Sequence, residues 1–108
     1  MIEILRLKSG EDIIGEVYTD LGINGYEIHE PMSVDIESDG KQAGLVMHHW
    51  LPVQLIERNV ITIKTEDVLA TIQPNSEFKE YYKNTVEKLK QLLDAKRMAD
   101  NMTDEEIE

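Results

Sequence analysis

Asp20, Asn24 and Lys64 are the side chains of this 108-residue chain whose types and setting best suit ligand chemistry. A side-chain amide both donates and accepts, and a carboxylate accepts. A lysine supplies a compact positive charge with three donors. Each residue also has a plainer occupation. Asn24-Gly25 is a turn dipeptide that needs no ligand, Asp20 can accept from the amides of its own loop, and a lysine at a strand end is ordinarily solvated.

Two other constellations suggest metal chemistry, and both weaken on inspection. His48-His49-Trp50 places two imidazoles side by side, but successive strand residues point to opposite faces, so they do not converge on one ion. His29 is the third histidine. Contact with a neighbouring subunit or a base suits His48 and His49 better, and Trp50 suits a core or interface anchor. Asp35, Glu37, Asp39 and Gly40 imitate the start of a calcium loop, but the twelfth position from Asp35 is Val46, where a bidentate Glu is required. No nucleophile elbow, phosphate loop or HExxH motif occurs, and the chain has no cysteine, so the expectation is a protein that is not an enzyme and carries no metal or cofactor.

The elements that must position these residues are short strands. Ile2–Lys8 reads as a first strand and Ser9-Gly10-Glu11-Asp12 as a tight turn. Ile13–Asp20 is a second strand, with Gly15 marking a bend or bulge in its interior. Leu21–Gly25 is a loop. Tyr26–Glu37 is a third strand region interrupted by Pro31, beyond which Met32, Val34 and Ile36 alternate with polar residues. Ser38–Lys41 makes a hairpin turn, Ala43–Leu51 a fourth strand, and Val53–Glu57 a continuation of the meander past Pro52. Val60–Lys64 and Val68–Ile72 are two β-branched runs joined by Thr65-Glu66-Asp67.

From Ser76 the period changes. Phe78, Tyr81, Tyr82, Thr85, Val86, Leu89, Leu92 and Leu93 fall on an arc of roughly 140° at helical spacing, a core-facing stripe. Asn75 or Ser76 is the expected N-cap, and Glu77 and Glu80 suit the positive end of the helix. Lys79, Lys83, Lys90 and Arg97 form one stripe beside another of Glu80, Glu87 and Asp94, the pattern of a solvated helix face. The helix is expected to span residues 76–98, with 99–108 a disordered acidic tail. The fold class is thus mainly β: a small, strongly bent antiparallel barrel of five to six strands over residues 1–74, followed by one amphipathic helix.

Charge works against one class of partner. The formal net charge is −11, and thirteen acidic against five basic side chains fall within residues 1–74. Binding a phosphate backbone depends on clustered cations, so the few present must share one surface. No run approaches the roughly 18 apolar residues that span a bilayer, and the start Met1-Ile2-Glu3-Ile4 lacks the basic and long apolar regions of a secretory signal. The expectation is a cytoplasmic protein with no membrane partner.

In order along the first three strands, Leu7, Gly10, Gly15, Val17, Asp20 and Asn24 resemble the first motif of the Sm-like (LSm/Hfq-type) family. Ile63-Lys64-Thr65-Glu66-Asp67-Val68 resembles its second motif. Together they cover about residues 4–72, and the pattern is most similar to a divergent branch found in phage and marine environmental sequences. Gly22 stands where the family often places a stacking aromatic, and Thr65 where it usually has glycine. The resemblance implies a closed homo-oligomeric ring built by edge-strand pairing, binding single-stranded RNA or DNA in nucleic-acid processing, in a host cytoplasm if phage-encoded. By position it implies a site of Asp20, Asn24, Lys64 and Thr65, with Tyr26 the nearest aromatic to replace the one missing at Gly22. The competing expectation keeps the ring as an assembly or adaptor protein without the nucleic-acid site.

Overall fold

The strand pattern folds as one antiparallel sheet. The computed structural model describes residues 1–107 except 21, 23, 39 and 42, with the backbone alone at 20, 38, 43 and 99–107. Six strands, β1 (Ile2–Leu7), β2 (Asp12–Asp20), β3 (Gly25–Ser38), β4 (Ala43–His49), β5 (Val60–Lys64) and β6 (Val68–Ile72), precede one helix, α1 (Ser76–Ile107). The sheet order is β4-β3-β2-β1-β6, and β5 also pairs with β3. Residues 1–74 form one compact unit and residues 75–108 another.

β3 does the work of two strands. Its first part, Gly25–His29, pairs with Lys64–Val60 of β5, and its second, Met32–Ser38, pairs with His49–Ala43 of β4. The division falls at Glu30-Pro31. Glu30 takes φ 54°, a left-handed conformation rare outside glycine and asparagine. It is held there from both sides: its N–H donates to the Asn59 carbonyl at 2.8 Å, and the Asn59 amide donates back to its carboxylate at 2.8 Å. Pro31, which the sequence suggested as an interruption, is instead buried inside a continuous bent strand.

β2 bends to match. Its register with β3 slips between Ile14 and Glu16, the bulge expected at Gly15. A Cβ at position 15 would lie 2.6 Å from Ile28 Cγ2 and 3.1 Å from the His29 carbonyl oxygen, so only glycine admits the close approach of β3.

These bends roll the sheet around one core. Leu5 and Leu7 of β1, Ile13 and Val17 of β2, Ile28 of β3 and Ile63 of β5 form a single buried cluster, with Tyr26, Trp50, Ile61 and Val68 packed against it. β1 and β5 are separated in the sheet by β2 and β3, so a flat sheet could not bring Leu5 and Ile63 together.

Two expected boundaries are corrected. The fourth strand stops at His49, and residues 50–59 form turns rather than a continued strand: Val53 N–H donates to the Leu51 carbonyl and Leu55 N–H to the Pro52 carbonyl. Pro52 has no N–H for a ladder, and tight turns replace it. The helix passes Met98 and reaches Ile107, because no glycine or proline follows Pro74 to end it. Its N-cap is Asn75, whose Oδ1 accepts from Phe78 N–H at 2.8 Å.

Candidate nucleic-acid interface

The β2–β3 loop and the turn after β5 meet at one corner of the sheet. Gly25 pairs with Lys64 across the β3–β5 ladder, so the residue before Gly25 and the residue after Lys64 are brought together. Thr65 uses both of its donors there. Its N–H reaches the Asn24 carbonyl at 3.1 Å and its hydroxyl reaches the same oxygen at 2.7 Å. A Cβ at position 25 would sit 2.8 Å from the Ile63 carbonyl oxygen, so glycine is what permits the strands to close this tightly.

Asn24 therefore has two attributes. It fills a left-handed position, φ 56°, which is the turn role its type favours. In the Asn-Gly turn the positive φ falls on Asn24, not on Gly25. Its main chain is fixed by Thr65 while the residue itself remains exposed. Lys64 and Thr65 are exposed beside it. Tyr26, two residues along β3, is half-buried with its ring against the core cluster. The Asp20 side chain lies outside the described residues.

Lys64 also lines a groove of about 540 Å³ that reaches across the end of β1. Lys8 stands on its other side, because Lys8 N–H donates to the Asp67 carbonyl at 2.9 Å and ties β1 to the 3-10 turn Thr65–Asp67. Trp50 forms part of the same wall. Its indole N–H donates to Glu11 Oε2 at 3.1 Å, which fixes the ring's orientation. Trp50, expected as a core or interface anchor, packs against the core cluster and lines this groove as well. Lys8, which the sequence did not single out, closes the expected first strand as Lys64 closes β5, the one cue that could have flagged it.

The groove is electrostatically mixed. Lys8 and Lys64 share it with Glu11, Glu66 and Asp67. It suits a ligand that offers donors as well as phosphate, such as a base with an exocyclic amino group, better than a bare polyanion.

The histidines do not converge. His48 is exposed, and His49 is half-buried with Nδ1 lacking a hydrogen-bond partner. His29 packs edge-on against Tyr18, with centroids 5.0 Å apart, and approaches Glu27 at 3.6 Å. Among the described residues, no three His, Asp or Glu side chains lie close enough together to hold a metal ion. No helix among them is long and apolar enough to cross a membrane.

No protein-family model matches the sequence, and no curated protein matches it either.

Proposed function

We propose that the chain is a subunit of an Sm-like ring that binds single-stranded RNA or DNA at the corner formed by Asn24, Lys64 and Thr65. The observation that carries this reading is the pair of Thr65 bonds to the Asn24 carbonyl. They join the two segments that resemble the family's motifs, 41 residues apart at these positions, into one exposed site. Asn24 reads a base edge, Lys64 and Lys8 contact phosphate, and Trp50 or Tyr26 supplies the aromatic surface that Gly22 lacks. A cytoplasmic setting suits a chain without cysteine.

The ring is proposed from the sheet's edges. Among the described residues, the ladders end at β6 on one side and at β4 and β5 on the other. β6 carries Leu69 at 63% exposure and Ile72 at 37%. An apolar strand with an open edge favours pairing with a neighbouring copy, and a closed circle leaves no edge over.

A second reading, an adaptor ring without nucleic acid, is favoured by one observation: Glu11, Glu66 and Asp67 outnumber the two lysines of the groove. Titration of U-rich and A-rich RNA across a salt series separates the two. On the first reading Lys64→Ala weakens binding and lowers the slope of log K against log salt by about 0.7. Asn24→Gly keeps the left-handed turn, removes the amide, and weakens binding several-fold with the slope unchanged. Absence of binding at low salt favours the adaptor.

A further inference from the structure

Past Ser33 the sheet loses a strand. Ile13 opposite Ser33 is the last pair between β2 and β3, yet β3 runs on to Ser38 with β4 beside it. Among the described residues, the side of β3 that β2 covers up to Ser33 therefore carries no strand over Val34–Glu37 and is an open edge. Beside it is a groove of about 590 Å³ lined by Val34, Asp35 and Ile36 of β3, by the turn between β1 and β2, and by Trp50. A strand edge beside such a groove is a template for an added strand.

Alternation along β3 decides which segment fits. Val34 and Ile36 share one face, and Asp35 and Glu37 the other. On the apolar face Val34 stands opposite Met47 and Ile36 opposite Leu45. Ile36 is 73% exposed and Leu45 48%, although both lie in regular strand. The other face is acidic, with Asp35 and Glu37 exposed and Glu11 and Asp12 across the groove.

We infer that this edge binds an extended segment of another protein in which apolar residues alternate with Lys or Arg. Its apolar residues cover Val34 and Ile36, its cations meet Asp35, Glu37 and Glu11, and its backbone continues the ladder that β2 leaves. Charge complementarity selects this occupant. A nucleic acid brings phosphates to an acidic edge, and the open strand of a second copy, β6 (Val68–Ile72), carries no cation to meet Asp35 and Glu37.

The test is fluorescence anisotropy of a labelled eight-residue peptide alternating Lys and Val, titrated with the full chain. Binding is expected, with none for the matching peptide alternating Glu and Val. The double variant Asp35→Lys, Glu37→Lys is expected to weaken it about tenfold or more. A control pair, Glu87→Lys and Asp94→Lys on α1, changes net charge equally and is expected to leave affinity within about twofold, circular dichroism showing all proteins folded. Absence of peptide binding overturns the inference. So does equal weakening by the control pair, which would make the attraction one of bulk charge. A change in sedimenting mass caused by the Asp35, Glu37 variant would assign the edge to self-association and overturn it as well.

Discussion

At the scale of single residues, Gly15 and Asn24 carry the most conformational information. Gly15→Ala inserts a methyl group 2.6 Å from Ile28 Cγ2 and close to backbone at His29. It is expected to cost about 1–3 kcal/mol, read as a lower urea midpoint at unchanged slope. Asn24 can be divided into its two roles by choice of substitution. Asn24→Gly preserves the φ of 56° and is expected to leave stability nearly unchanged, whereas Asn24→Ala keeps the Cβ but loses the polar side chain that makes that conformation tolerable, and costs about 1 kcal/mol. A loss of ligand affinity shared by both variants then belongs to the amide, not to the turn. The turn at Asn24-Gly25 and the strand end at Lys64 were legible because both leave local signatures. The groove that gathers Lys8 and Trp50 beside Lys64 was not, because it depends on a long-range bond, Lys8 N–H to the Asp67 carbonyl, and on the return of β4.

At the scale of elements, the six strands and the helix follow from period and punctuation, and the errors have physical causes. Gly15 announced its bulge because only glycine tolerates the approach of another strand. Pro31 looked like a break, yet it sits inside β3 because the bend belongs to Glu30, whose left-handed φ no sequence rule assigns to glutamate. Two hydrogen bonds to Asn59 hold that bend, and Asn59→Ala keeps the one to its carbonyl but removes the one from its amide, so it is expected to lower stability by about 1 kcal/mol in thermal unfolding. Val53–Glu57 read as strand from composition, but a segment that must carry the chain from β4 round to β5 needs turns. In α1, Asn75→Ala removes the acceptor for Phe78 N–H and is expected to cost about 1 kcal/mol and to lower helical ellipticity.

At the scale of the whole molecule, the proposed ring rests on unpaired edges, and mass is its first test. Light scattering is expected to report an oligomer. Leu69→Glu, on the outer strand β6, is expected to reduce it toward the monomer mass, because a charge replaces an exposed apolar residue on the pairing edge. Leu55→Glu is the control. Leu55 is 84% exposed but lies in the turns between β4 and β5, so its substitution leaves the mass unchanged. The acidity of the chain reaches both grooves: Glu11, Glu66 and Asp67 stand beside the two lysines at one, and Glu11, Asp12 and Asp35 line the other.

The central claim is that single-stranded nucleic acid meets the protein where Thr65 clasps Asn24. Photo-crosslinking with 4-thiouridine-substituted U-rich RNA, followed by mass spectrometry of the conjugated peptides, tests it most directly. Crosslinks are expected on peptides spanning Asn24–Tyr26 and Lys64–Thr65, with Lys8 or Trp50 alongside. Crosslinks confined to the lysines of α1, or none at all at low salt, would contradict it.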